Sequence, residues 1–185
     1  MTDRESLQRL LLERSIERGD FVLASGRRSS YYIDCRRSTM SAEGMVLIGR
    51  MGWAAIRGAG WQAAAVGGLT MGADPVAYAI AAASYSSDHP VNAFSVRKQS
   101  KEHGTGRLIE GNFRPGDPVV IVEDVITSGE SALRAAAAVE HAGGRVLGVL
   151  AVVDREEGGR RSLEARGHQL IALTSAGELG LVDPT

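Results

Sequence analysis

Glu123 and Asp124 stand side by side at the end of an apolar run, Val119-Val120-Ile121-Val122, and lead into Val125-Ile126-Thr127-Ser128-Gly129-Glu130-Ser131. Two ionised carboxylates are acceptor-only groups, suited to a pair of hydroxyl donors. The Thr-Ser-Gly segment suits something else. Where a strand bends into a helix, unpaired backbone N–H groups and the helix dipole favour an anion. Glycine lets the backbone come close, and Thr127, Ser128 and Ser131 add hydroxyl donors. The result is a cradle for one phosphate. Carboxylates beside a phosphate would repel it, so they serve another part of the ligand. A sugar phosphate meets both demands, with its vicinal hydroxyls on the acids and its phosphate in the turn. The plainer alternative makes Asp124 an exposed strand-end acid and Ser128 an ordinary N-cap. The whole acid-acid-apolar-apolar-Thr-Ser-Gly string is far more specific than either. It is neither a P-loop nor a dinucleotide fingerprint, since no Gly-Lys-Ser/Thr and no GxGxxG occur there.

A second constellation is basic. Arg97, Lys98, Lys101, His103 and Arg107 fall within eleven residues that hold one acid, Glu102. Most charge runs are solvated loops. This one has strands expected on both sides and Gly104 and Gly106 placed as hinges, so it reads as a lid. Arg155, at the end of the apolar run "LGVLAVVD", is a surface arginine or a two-pronged donor to a planar anionic ligand.

The elements that carry these groups follow from periodicity. Thr2 and Glu5 have capping-box spacing ahead of a helix with Leu7, Leu10, Leu11 and Ile16 on one face and Gly19 as its stop. Two short strands around a Ser-Gly turn follow in "DFVLASGRRSSYYIDCR". A helix from Ser41 to about Ile56 ends at "GAG". The buried strand "AAAVGG" precedes a helix with Asp74 as N-cap and Pro75 at its first position. The strand "VNAFSV", the polar stretch and the "RPGD" turn lead to "PVVIVED", an Ala-rich helix from about Gly129 to His141, and "RVLGVLAVVD". A short helix near Ser162 to Arg166 and the strand "HQLIAL" close the chain. Alternating strands and helices predict an α/β fold with a mostly parallel sheet, whose ligands sit at the carboxyl ends of the strands.

The 185 residues suit one domain, and 44% apolar with 23% charged residues is ordinary for a soluble protein. A net charge of −1 supplies no global field for nucleic acid or an anionic membrane. Cys35 is the sole cysteine, which leaves no intrachain disulfide or thiolate cluster. The charged N-terminus and the lack of a long apolar run predict a cytosolic protein.

With those residues in view, "VVIVEDVITSGES" resembles the phosphoribosyl-diphosphate signature of type I phosphoribosyltransferases. "LASGRRSSYYID", "VRKQSKEHGTGRLIEG" and "VVDREEGG" narrow the resemblance to the orotate phosphoribosyltransferases, over about residues 19 to 179. It implies a type I phosphoribosyltransferase fold: a twisted sheet flanked by helices, an N-terminal hood over about residues 1–40 and a mobile lid over about 97–107. Residues Glu123, Asp124, Val125, Ile126, Thr127, Ser128, Gly129, Glu130 and Ser131 would hold phosphoribosyl diphosphate. Arg97, Lys98, Lys101 and His103 would contact its diphosphate, with His103 a hydrogen-bond or proton donor. Catalysis would rest on Lys98, Lys101, His103 and Asp124. Thr127 and Arg155 would bind orotate, walled by Tyr31 and Tyr32. Magnesium would arrive through the substrate rather than through protein ligands. The family's lid closes over the neighbouring site, so a homodimer is implied, with no nucleic-acid or membrane partner.

Two positions depart from the family pattern. Ala24 and Met71 stand where relatives often carry lysine, and Arg27 or Arg28 could compensate. The competing readings are a phosphoribosyltransferase for another base and a regulator of the same fold that senses phosphoribosyl diphosphate. The first has no use for the Arg-Lys-x-x-Lys-x-His segment. The second would carry a helix-turn-helix or a basic surface.

Overall fold

A computed structural model of the chain describes residues 1–22, 28–99 and 108–181. Helix α1 (Asp3–Arg14) opens on the expected capping box, with Thr2 Oγ1 accepting the Glu5 N–H at 3.2 Å and Glu5 Oε2 accepting the Thr2 N–H at 2.7 Å. Leu7, Leu10 and Leu11 are buried. The helix ends before Ile16, contrary to expectation. Ile16 instead starts strand β1 (Ile16–Val22), lies opposite Ile33 of β2 (Arg28–Ile33), and leaves Gly19 inside the strand. A β-branched residue gains more from that cross-strand apolar partner than from a fraying helix end.

After the short α2 (Arg36–Thr39), Ser41 caps α3 (Ala42–Gly58) through the Gly44 N–H. Then come β3 (Ala65–Leu69), α4 (Ala73–Ser84), β4 (Asn92–Val96), β5 (Ile109–Gly111), β6 (Pro118–Ile126), α5 (Glu130–His141), β7 (Arg145–Asp154), α6 (Gly159–Glu164) and β8 (Leu170–Ser175). The main sheet has the order β5-β4-β3-β6-β7-β8 and is parallel except for β4 with β5.

Alternate residues of the central strands feed two cores. Val120, Val122, Leu150 and Val152 face one core with residues of α1, α3 and α4, whereas Val119, Ile121, Val149 and Ala151 face another with α5 and α6. Each such valine, leucine or isoleucine side chain stabilises the fold by about 1.5–3 kcal/mol when fully buried. This two-sided burial fixes β6 and β7 rigidly, and their carboxyl ends are where the candidate groups emerge. No helix among the described residues is long and apolar enough to cross a membrane.

Candidate active site

Strand β6 continues to Ile126, so the acid pair lies within the strand and does not mark its end. Glu123 is 5% exposed and Asp124 is half-buried, and both line a cleft of about 1130 Å³. Burial, and then the negative charge of Asp124, pushes the Glu123 carboxyl up to about 9. Burial also raises Asp124, opposed by hydrogen bonds that include the one from the Val125 N–H at 2.9 Å. The pair is therefore not doubly ionised at neutral pH, as its sequence alone suggested. Protonated Glu123 can donate as well as accept. Its Oε2 is buried and has no hydrogen-bond partner among the described residues.

Beyond the acids, residues 125–132 and Glu123 enclose a second hollow of about 150 Å³. Gly129 sits at the α5 N-cap with φ 83°, the left-handed region that glycine enters without strain. Its carbonyl takes the first helical bond, from the Leu133 N–H at 3.0 Å, so the amides between them have no intrahelical partner. Thr127 is half-buried, and Ser128 and Ser131 are exposed to the hollow's mouth. The turn expected to cradle a phosphate thus presents backbone amides without intrahelical partners, with hydroxyls at its rim.

Arg155 follows β7 and is 7% exposed, not a surface arginine. Its guanidinium lies 4.7 Å from the Tyr31 ring centroid, and its Nε donates to Glu157 Oε1 at 2.7 Å. Thr127 and Arg155 line the same cleft, and so does Tyr32. Tyr31 is buried beneath Arg155. The tyrosine pair thus divides, one ring supporting the arginine and the other facing the ligand space.

The residues expected to form a lid divide as well. Lys98 lines the cleft, and its charge opposes the rise at Glu123. Its carbonyl accepts from Arg134 of α5 at 3.2 Å, which ties the segment after β4 to α5 of its own chain. Arg97 lines an adjoining cavity with Thr70, Asp74, Ser95 and Glu110, and so it is not brought together with the acid pair. Lys101, His103, Arg107, Ala24 and Arg27 lie outside the described residues. Arg28 is engaged by Asp20 at 2.6 Å and does not line the cleft. Cys35 also lines the cleft, but burial and the charges of Asp124 and Asp34 hold its thiol protonated, leaving it inert as a nucleophile.

No family model matches the chain. A curated orotate phosphoribosyltransferase of Aquifex aeolicus is 46% identical over 182 residues, covering 97% of this chain and 98% of that protein. The chain belongs to the orotate phosphoribosyltransferase family. Among solved structures, the Mycobacterium tuberculosis orotate phosphoribosyltransferase in complex with Fe(III) dicitrate matches with a TM-score of 0.86 at 43% identity, covering 97% of this chain and 100% of that one. The same enzyme in complex with 5-phospho-α-D-ribosyl 1-diphosphate matches at 0.82 and 41%, with the same coverage.

Against that family background, one supporting residue has a role other than the sequence suggested, and two more were not singled out. Asp74 is not the N-cap of α4 but lies in its first turn, since the helix begins at Ala73. There its carboxylate accepts from Thr70 Oγ1 and Ser95 Oγ, each at 2.6 Å, and so joins the loop after β3 to β4. Glu157 holds Arg155. Gly159 allows α6 to press on the phosphate turn: a Cβ there would meet the Thr127 carbonyl at 2.6 Å. The conspicuous "REEGG" that follows β7 was the available signal for the last two.

Proposed function

We propose that the chain transfers the 5-phosphoribosyl group of phosphoribosyl diphosphate to orotate, giving orotidine 5′-monophosphate and diphosphate in pyrimidine synthesis. The observation that carries this reading is one cleft holding the acid pair and the glycine-started phosphate turn, with Arg155 set on Tyr31 across from them. The 5′-phosphate lies in the turn of residues 127–131, and the ribose hydroxyls bond Glu123 and Asp124. Arg155 and Thr127 bind orotate, the arginine fork meeting the carboxylate and imide edge. Held so, the base nitrogen faces C1 of the ribose, and much of the barrier is met by positioning. Lys98, Lys101 and His103 neutralise the departing diphosphate, as in other charge-stabilised displacements. Arg97 joins them from its adjoining cavity once the lid closes.

Among the described residues no cluster of three or more His, Cys, Asp or Glu is arranged for a metal ion. The Asp124 carboxylate, which faces the cleft, nevertheless suits a magnesium ion carried by substrate oxygens and water. When bound, that ion would supply positive charge to the diphosphate. A homodimer in the cytosol, with the lid contributing to the neighbouring site, completes the reading.

Orotate consumption, followed by its ultraviolet absorbance, tests this directly. Turnover is expected only with both phosphoribosyl diphosphate and magnesium. Equal turnover of uracil or adenine would overturn the base assignment.

A further inference from the structure

Arg36 and Arg37 are neighbours on α2, yet they face different surroundings. Arg37 donates from Nη1 to Glu17 of β1 at 2.6 Å, outside the cleft. Arg36 lines the cleft beside Tyr32, Met71, Gly72 and Asp124. Asp34 grips one edge of its guanidinium, accepting from Nε at 2.7 Å and from Nη2 at 3.2 Å, and it also accepts the Arg36 backbone N–H at 3.3 Å. A fork held along one edge keeps its orientation and leaves its Nη1 amino group for another anion.

The reading proposed above fixes where such an anion would lie. With the 5′-phosphate in the turn and the diol on the acids, the C1 diphosphate extends away from the turn. That direction leads toward Gly72, where a Cβ would come 2.5 Å from Asp124 Oδ1. The segment Thr70-Met71-Gly72 brings no cation to a multiply charged group, and the Met71 side chain is 57% exposed. Among the described residues of the cleft the cations are Arg36, Lys98 and Arg155. Arg155 is committed to Glu157 and Tyr31. Lys98 and Arg36 remain, and they flank the acid pair: the charge of Lys98 is felt at Glu123 and that of Arg36 at Asp124.

We infer that Arg36, presented by Asp34, binds the diphosphate of the sugar substrate and supplies the positive charge that the Thr70–Gly72 segment lacks. Asp34 is the positioning residue and Arg36 the ligand-contacting one. This assignment rests on the phosphoribosyl-transfer reading.

The test compares two ligands that differ at C1, phosphoribosyl diphosphate and ribose 5-phosphate, by calorimetric titration with magnesium present. Arg36→Ala should weaken the diphosphate ester about tenfold or more, the scale of one charge-assisted contact, and leave ribose 5-phosphate within about twofold. Arg36→Lys should recover part of the loss, since a point charge replaces the fork. Asp34→Asn should give a smaller loss in the same ligand alone. Arg37→Ala serves as the control for surface charge, and the thermal midpoint of each variant reports folding. Equal weakening of both ligands, or of neither, would overturn the role of Arg36. A wild-type protein that fails to bind phosphoribosyl diphosphate would overturn the functional reading, and this inference with it.

Discussion

Arg155 rests its guanidinium on the ring of Tyr31, 4.7 Å from the centroid, while Glu157 takes its Nε hydrogen at 2.7 Å. A buried cation held on one face and one edge has little rotamer freedom left to lose on binding a planar anion. Arg155→Ala should therefore raise the orotate KM by about one to two decades, the scale of a charge-assisted pair. Tyr31→Leu keeps an apolar support but removes the cation–π contact, about 0.5–2 kcal/mol. Its orotate KM should rise less, and the KM for phosphoribosyl diphosphate should hold. Steady-state kinetics with each substrate varied in turn makes the distinction. A change confined to the sugar diphosphate would move Arg155 to the other substrate.

Glu123 gives a pH prediction with a definite sign. Its carboxyl is raised by burial to about 9 in the fold, against about 4.3 in an unfolded chain. The folded state thus holds the proton more tightly, and its contribution to stability is complete below the unfolded value. That contribution is lost progressively as pH rises from there through the folded value. Glu123→Gln removes the titration, so the ligand-free variant should gain thermal stability relative to wild type at pH 8 more than at pH 5. It should also bind phosphoribosyl diphosphate less well, a local cost of function at a strained site. Equal shifts of the thermal midpoint at both pH values would show that Glu123 does not titrate differently on folding.

The contrast between Asp124 and Arg36 shows what a sequence carries. The apolar run of β6, the acids and the glycine turn are local, and each step restricts the next, so the strand-turn-helix unit is legible from the sequence. Arg36 is one of several arginines in a charged stretch, and only the tertiary turn at Asp34 decides that it faces inward while Arg37 faces Glu17. Asp74 misled for a related reason. Asp-Pro after a glycine loop looks like a helix start, but Asp74 instead takes hydrogen bonds from Thr70 and Ser95, and the helix begins two residues earlier than Pro75, at Ala73. Strand β5 has three residues and exists through its pairing with β4, which no local periodicity announces. The protonation of Glu123 needs burial, a property of the whole fold.

Gly159 touches the phosphate turn from behind. A methyl group there would run into Ile126 Cγ2 and come within 2.6 Å of the Thr127 carbonyl oxygen. Neither neighbour can yield cheaply, because Ile126 is buried and Thr127 is part of the turn itself. Gly159→Ala should displace the cradle and raise the KM for phosphoribosyl diphosphate. A displacement of about 1 Å in a positioning element can cost a hundredfold. Gly158→Ala is the comparison, because a Cβ there meets nothing within 4 Å, although its φ of 96° adds local strain. If the two variants lose the same affinity, backbone strain rather than contact with the turn is responsible.

The lid offers the test with the widest consequence. Lys98 lines the cleft of its own chain and is tied by its carbonyl to Arg134 of the same α5, whereas Lys101 and His103 lie farther along, outside the described residues. The proposed homodimer then predicts that Lys98 serves its own site and that Lys101 and His103 serve the neighbour's. Two pairs of inactive variants separate these roles when co-expressed with different tags. A hybrid of His103→Ala with Asp124→Ala would hold one site with both defects and one with neither. Random pairing makes about half the dimers hybrids, and half their sites are intact, so about a quarter of wild-type activity should return under two-fold symmetry. A hybrid of Lys98→Ala with Asp124→Ala would hold one defect in each site and should stay at the parental level. Recovery in the second pair would mean that Lys98 crosses too. No recovery in the first pair, with hybrids verified by their tags, would reject the shared site.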